Sequence, residues 1–417
     1  MESWMEKIYE VELKSFAYGG EAIGRLPDGR AVFVPFAIPG EKVRLELVEE
    51  KRAFARARLL EVLEPSPQRI PPRCAHFGLC GGCHYQELPY PAQLAAKTAI
   101  LRDQLERLGG LKAPPVQPAV ASPQEYQYRN HVQFHLTPQG ALGYHKPRSN
   151  EVIAIQECHL PEPALNALWP QLAFEPLTEI ERIALRLGAN DDLQIILESR
   201  DPAAPDLSVE ELPVSVVHLS PAGALVLAGS PDIQITVRGR SFRVSAGSFF
   251  QTNTAIAQAM VEHVLALLEQ WDGLSPAVVA LDVYCGVGLF SAFLAPHVGR
   301  LVGVEAAPSA ADDFSANLDE FDNVELYEAP AEAVLPGLDL RPDLILVDPP
   351  REGIQSAALD GLLRLAAPRL VYVSCDPATL GRDARRLSAA GYQLETITLF
   401  DQFPQTYHIE SISLWQK

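Results

Sequence analysis

The sequence predicts an α/β protein whose last third is a doubly wound sheet, preceded by a small OB-like β-barrel and a mixed α/β middle. Three observations carry this. Between Val278 and Ser374, five short apolar runs alternate with helical stretches, the pattern of a parallel sheet with crossover helices. Between residues 7 and 64, β-rich runs are separated by Gly19-Gly20, Pro27-Asp28-Gly29 and Pro39-Gly40, all turn signals. The 417 residues suffice for two or three domains. Breaks in pattern near 65 and 245 divide the chain into 1–65, 66–245 and 246–417.

Composition sets the first bounds. The chain is 47% hydrophobic and 21% charged, as an ordinary soluble protein is. No apolar run reaches transmembrane length and no signal-peptide core is evident, so a cytoplasmic location without a membrane partner is expected. No obligate protein partner is evident. Of six cysteines, four lie between Cys74 and Cys158 and the others are Cys285 and Cys375. In a large intracellular chain such a cluster points to metal binding or catalysis before disulfides. Net charge is −19, unevenly spread: residues 1–150 hold 19 Lys and Arg against 16 Asp and Glu. A polyanion is therefore expected to dock mainly on the N-terminal part.

In the barrel segment, Tyr9–Lys14, Ala31–Val34, Lys42–Val48 and Ala53–Leu63 read as strands of a five-stranded OB-like barrel. Lys51, Arg52, Phe54, Arg56 and Arg58 interleave cations with an aromatic, as a face that tracks a nucleic-acid backbone does. A solvated strand edge gives the same pattern. Pro65 to Pro72 is a linker. Cys74, Cys80 and Cys83 follow with spacing C-x5-C-x2-C, and Cys158 lies far downstream. Four thiolates suit Zn²⁺ or an iron–sulfur cluster. The spacing matches neither paired zinc knuckles nor the C-x3-C-x2-C of radical enzymes.

Residues 90–109 carry apolar side chains at helical spacing and end at Gly109-Gly110. Beyond them, Arg129, His145, Lys146 and Arg148 lie around a predicted hairpin and are candidate RNA contacts; an ordinary hairpin surface explains them too. The stretch 160–245 reads as mixed α/β without a diagnostic motif.

The last third is the informative part. Val278–Val283 is a strand with Asp282 near its end, and Tyr284 to Gly288 (YCGVG) is a Gly-bearing loop leading into a helix. Leu301–Glu305 ends in an acid, Val324–Tyr327 follows, and Leu344–Val347 ends in Asp348-Pro349-Pro350-Arg351. A Gly-rich loop followed by an acid at the next strand end is a general nucleotide-cofactor arrangement. The dinucleotide fingerprint G-x-G-x-x-G is absent, which favours a cofactor without a pyrophosphate. The fifth run, Leu370–Ser374, leads into Cys375, Asp376 and Pro377. A Cys at the carboxyl end of a parallel strand lies where such sheets place their chemistry. The helix expected to start at Ala378 is positioned to lower its thiol pKa. A buried core Cys is the plain alternative, and packing is the reading for Cys285.

AYGGEAIGR (17–25) resembles the TRAM module of RNA-modifying enzymes. SFFQTN (248–253), LDVYCGVGLF (281–290), GVE (303–305), DPPREG (348–353), VSCDPATLGRD (373–383) and DQFPQTYHIE (401–410) resemble the RNA 5-methyluridine methyltransferase family. The resemblance is to the type with a TRAM domain and a [4Fe–4S] cluster that acts on 23S ribosomal RNA. It implies a class I S-adenosylmethionine-dependent methyltransferase fold with Cys375 as nucleophile and Glu410 as base. Gln251, Tyr284, Glu305 and Asp348 are implied to hold cofactor or base, and Cys74, Cys80, Cys83 and Cys158 the cluster. Phe249 or Phe250 is a candidate to stack on a flipped base, with the other in the core. The partner implied is RNA, ribosomal before transfer RNA. The alternatives are a transfer-RNA 5-methyluridine enzyme, and a non-catalytic TRAM and iron–sulfur protein that binds RNA.

Overall fold

The computed structural model describes residues 8–176, 179–207, 212–271 and 274–417; the first seven residues of the barrel segment lie outside them. The chain forms two compact units. The first comprises residues 1–100, 144–157 and 403–408, and the second residues 101–143, 158–402 and 409–417. They cut the chain differently from the linear boundaries at 65 and 245.

The first unit is built on a closed five-stranded barrel. Around it the strands run Ile8–Phe16, Ala22–Arg25, Ala31–Val34, Phe54–Glu64 and Lys42–Glu50. Their alternating side chains fill the interior with Val11, Leu13, Val32, Val34, Val43 and Leu45, as half-buried strands do. The strand absent from the sequence reading, Ala22–Arg25, lies inside the AYGGEAIGR phrase. Its Gly24 is required by space, since a Cβ there would sit 2.3 Å from Val11 Cγ1.

The basic run on this barrel is not a bare cationic stripe. Lys51 pairs with Glu49 at 3.1 Å, Arg56 with Glu21 at 2.5 Å, and Arg58 with Glu46. Arg56 also lies 5.8 Å from the Phe54 ring centre. The interleaved aromatic thus stands beside cations already matched by cross-strand carboxylates. The hairpin cations behave alike: Lys146 pairs with Glu151 at 2.5 Å and Arg148 with Glu21.

The rest of this unit is knit by main-chain bonds. Gly81 N donates to His145 O at 2.9 Å, and Gly82 N donates to Cys80 Sγ at 3.3 Å. The predicted helix is Tyr90–Arg107. Gln93 exchanges two hydrogen bonds with Gln405, through Oε1 at 2.9 Å and N at 3.0 Å. Lys97 is fully buried and donates to Phe403 O at 2.9 Å.

In the second unit, the mixed α/β middle contains a sheet. Its strands run Gly223–Ala228, Val214–Ser220, Leu193–Ser199, Ile180–Leu187 and His131–Leu136, with one parallel pair, Leu193–Ser199 beside Val214–Ser220. The hairpin Asp232–Val237 and Arg240–Ser245 follows. The helix Thr254–Glu269 is capped by Asn253, whose side chain accepts from Ile256 N. Next comes the seven-stranded sheet ordered Val324–Glu328, Arg300–Glu305, Val279–Val283, Leu344–Val347, Arg369–Ser374, Glu410–Gln416 and Gln393–Phe400.

All five strands predicted in that sheet are present and parallel. Four of their runs are buried nearly throughout, as expected where helices cover both faces, while the edge strand Val324–Glu328 is partly exposed. The antiparallel pair at the end is an addition to the prediction. This is the class I S-adenosylmethionine-dependent methyltransferase fold, joined in one chain to a small barrel. Among the described residues, no helix is long and apolar enough to cross a membrane.

Candidate active site

The carboxyl ends of two parallel strands and the amino end of their antiparallel neighbour build the site. Cys375 follows Arg369–Ser374 in a turn fixed by Ser374, whose Oγ donates to Asp376 O at 3.0 Å. Asp376 caps the helix Pro377–Ala389, its Oδ1 accepting from Ala378 N and Thr379 N, each at 2.9 Å. The antiparallel partner pairs Ser411 with Ser374. One step further in that register, Glu410 falls across from Cys375. Asp348 ends the strand on the other side, its N donating to Val283 O at 3.2 Å.

Burial raises the proton affinity of Cys375, Glu410 and Asp348. Burial pushes the Cys375 thiol up to about 12, helped by the charges of Glu410 and Asp348 and opposed by Arg351. Here the sequence reading needs correction. The helix start does not lower this thiol, because the Asp376 carboxylate already occupies the amide groups that would do so. Glu410 is buried and is itself pushed well above the carboxylate range, first by burial and then by Asp348, with Arg351 opposing. Asp348 is raised by burial and by Asp282. A thiol, two carboxyls and one guanidinium therefore form a single electrostatic cluster, in which Arg351 is a member without an assigned role in the sequence reading.

A second loop, Ser248–Asn253, is pinned from several directions. Arg186 donates to Ser245 O at 2.8 Å and to Ser248 O. The fully buried Asp313 accepts from Ser245 N at 2.8 Å and from Ser248 Oγ at 2.6 Å. Asn130 Nδ2 donates to Gln251 O at 3.1 Å, and Gln402 Nε2 donates to Gln251 Oε1 at 2.9 Å. The two phenylalanines separate cleanly. Phe250 is buried against Phe242, with ring centres 5.8 Å apart, while Phe249 is 65% exposed.

The Gly loop has the open geometry a cofactor needs. Tyr284 has φ +64°, a left-handed conformation that is strained for a bulky residue. Gly286 has φ +54°, with nothing within 4 Å of where a Cβ would be. Gly288 is the opposite case, since a Cβ would lie 2.4 Å from Leu318 Cδ1. Glu305 spans loop and strand end: its Oε2 accepts from Gly286 N at 2.9 Å, and its Oε1 from Ala306 N and Ala307 N at 2.8 and 2.7 Å. Oε1 is filled by its two amide bonds, and Oε2 keeps lone-pair capacity for a hydroxyl. Cys285 is buried in the core and its thiol is pushed far up by burial, as packing requires.

Gln251, Tyr284, Glu305, Asp348, Cys375 and Glu410 thus all fall in the second unit. The four cysteines are divided between the units. Cys74, Cys80 and Cys83 belong to the first unit and Cys158 to the second. Among the described residues, no three His, Cys, Asp or Glu side chains are grouped to hold a metal ion. No catalytic step is routed through a cluster.

Asp383, fully buried, was also given no role from sequence. It accepts from Tyr372 OH at 2.9 Å and from Ile354 N at 3.0 Å. It thereby joins the Asp348–Gly353 loop to the strand and helix that flank Cys375. Its signal in the sequence was its place in the VSCDPATLGRD segment, where a buried acid and a surface acid look alike.

Comparison with known proteins agrees with this architecture. The TRAM domain family matches residues 6–60, and the tRNA (uracil-5-)-methyltransferase family matches residues 205–417. An uncharacterized RNA methyltransferase of Thermosynechococcus vestitus is 35% identical over 97% of both chains. One of Aquifex aeolicus is 33% identical over 98% of both. The crystal structure of Pyrococcus abyssi tRNA (uracil-54, C5)-methyltransferase with S-adenosyl-L-homocysteine shares the fold, with a TM-score of 0.74 at 22% identity. That match covers 98% of this chain and 100% of the other. With its full-length relatives and its site on a class I methyltransferase sheet, the chain belongs to the RNA (uracil-5-)-methyltransferase family.

Proposed function

We propose that this enzyme methylates C5 of a uridine in large-subunit ribosomal RNA, with S-adenosylmethionine as methyl donor and Cys375 as covalent nucleophile. The observation that supports it most is the cluster of Cys375, Glu410, Asp348 and Arg351 at the carboxyl end of the sheet. C5 of uracil is a weak nucleophile, and adding a thiolate to C6 gives C5 carbanion character. The cofactor, when bound, supplies an electrophilic methyl group.

The protein's own part is proton handling. Cys375 must release its proton to solvent before it adds to C6, and among the charges acting on the thiol Arg351 is the one that favours the thiolate. After methyl transfer, C5 carries a proton that Glu410 removes, and the thiolate then leaves. Asp348 and Gln251 are the groups suited to the N3–H and O4 edge of the base. Phe249 is the aromatic exposed to stack on it. Tyr284 and Glu305 hold the cofactor; the open space at Gly286 fits a ligand there.

Two variants test the roles. Cys375→Ala should abolish methyl transfer while RNA affinity stays near normal; turnover in that variant refutes the nucleophile. Glu410→Gln should accumulate a denaturation-resistant protein–RNA adduct, seen as a shifted band on a denaturing gel, and its absence removes Glu410 as the base. The substrate is tested by labelled methyl transfer to unmodified ribosomal and transfer RNA with nucleoside analysis. Transfer RNA is the second reading, favoured by the description of the matching family.

The [4Fe–4S] cluster on Cys74, Cys80, Cys83 and Cys158 is carried as a separate proposal. It rests on the spacing and on the Gly82 N–H bond to Cys80 Sγ. Protein purified without oxygen should be brown with about four irons per chain; a colourless protein overturns it. A cytoplasmic location belongs to the same reading.

A further inference from the structure

We propose that Gln402 is a positioning residue: it fixes the Gln251 carboxamide with its N–H pair turned to the ligand, so that Gln251 binds an acceptor oxygen. The inference rests on the methyltransferase reading of the site. A glutamine side chain offers a carbonyl at one end and two donors at the other, and nothing intrinsic selects which end meets a ligand. Here the choice is made by a neighbour. Gln402 is fully buried, and its backbone N donates to Phe400 O at 2.9 Å. Its Nε2 donates to Gln251 Oε1 at 2.9 Å.

The acceptor end of Gln251 is thereby engaged, and among the described residues its Nε2 has no protein partner. The backbone of Gln251 is held as well, through the Asn130 bond to its carbonyl. The other end of Gln402 tells the same story. Its Oε1 is buried and unpartnered among the described residues. An apolar side chain of similar size would avoid that unpaired atom, so the amide is kept for the donor it supplies.

A ligand that meets two fixed donors must present an acceptor. Two sources fit that chemistry: the carboxylate of the cofactor's methionine part, and O4 of uracil. Cytosine places a donor amine where uracil has O4, so in the second case Gln402 also sets base choice.

The test uses the full-length enzyme with Gln402→Leu and Gln402→Glu. Binding of S-adenosylhomocysteine is read by calorimetry, and KM for RNA by methyl transfer. Gln402→Leu removes the lock and should weaken the affected ligand about tenfold, the usual size for one hydrogen bond. Gln402→Glu at pH 8 should be worse, despite its closer shape. A carboxylate only accepts, so it pulls the Gln251 N–H groups inward and turns the carbonyl toward the ligand's oxygen. Lowering the pH toward 5.5 should restore binding, because the protonated carboxyl donates as the amide did.

A loss confined to S-adenosylhomocysteine assigns the carboxylate; a loss confined to RNA assigns O4. Gln402→Glu binding both ligands as the parent does at pH 8, or Leu and Glu variants equal at both pH values, overturns the proposal. If the parent enzyme methylates no RNA, the functional reading fails by itself, and S-adenosylhomocysteine binding still reports on Gln402.

Discussion

Cys375 carries its proton at neutral pH, and the reason lies in residues distant in the chain. Burial raises the thiol, and Glu410 and Asp348 raise it further. Removing the Glu410 charge should therefore lower the thiol pKa. Carboxamidomethylation of Cys375, followed by peptide mass spectrometry from pH 7 to 11, should be slow until the pH approaches the raised value. In Glu410→Gln the same profile should move to lower pH; an unmoved profile means the two groups do not feel each other. Asp282 offers a second test. Burial pushes it up to about 7 from an ordinary 3.8. It accepts from Ser291 Oγ at 2.6 Å, and its Oδ1 is unpartnered among the described residues. A carboxyl whose folded pKa is raised favours the fold below the ordinary value, and that contribution is lost as pH rises to about 7. Asp282→Asn should thus gain stability relative to the parent between pH 4 and 7, read as diverging urea midpoints. Parallel midpoints across that range would show an Asp282 of ordinary acidity. None of this was visible in sequence, where Cys375 looked activated by its helix and Asp376 was only a turn residue.

At the scale of elements, the parallel part of the sheet was legible because each strand is a self-contained apolar run between turn signals. Leu344–Val347 has the same bounds in sequence and structure. The antiparallel strands Gln393–Phe400 and Glu410–Gln416 were not read, since their place depends on long-range register and not on local pattern. That register is what brings Glu410 beside Cys375, so the role of Glu410 came only through resemblance. The middle was read only as mixed α/β, because its strands are separated by Pro-rich connections and their apolar runs point to no particular partner. The loop Asp348–Gly353 shows how tightly elements fix the site. Gly353 has φ +73°, and a Cβ there would lie 2.9 Å from both Asp383 Oδ2 and Thr379 Cβ. Gly353→Ala should cost about 1–3 kcal/mol, from left-handed strain plus overpacking. The same change should lower kcat, because Asp348 and Arg351 ride on that loop. An unchanged urea midpoint would mean the loop yields freely.

Charge is a property of the whole molecule, and it constrains how RNA can be held. Residues 1–150 carry 19 basic against 16 acidic side chains, while the whole chain carries −19. The asymmetry was read correctly from sequence; its pairing was not. Arg56 and Arg148 share Glu21, Arg44 is matched by Glu10 and Glu61, and Arg30 by Asp28 and Glu50. Cations already neutralised by the protein release few counterions when RNA arrives. Each phosphate neutralised on a single strand contributes roughly −0.7 to the slope of log K against log salt. A broad basic surface with ten contacts would give about −7 on that rule. With most of its barrel arginines paired, this enzyme should instead show a shallow slope of about −3 or less in magnitude, close to four phosphates. Fluorescence anisotropy with a labelled RNA fragment, from 50 to 300 mM KCl, reads it directly. A shallow slope leaves recognition to shape, to stacking on side chains such as Phe249 and to bonds at the base edge. A slope steeper than about −6 would mean that RNA breaks the cross-strand ion pairs and recruits their arginines.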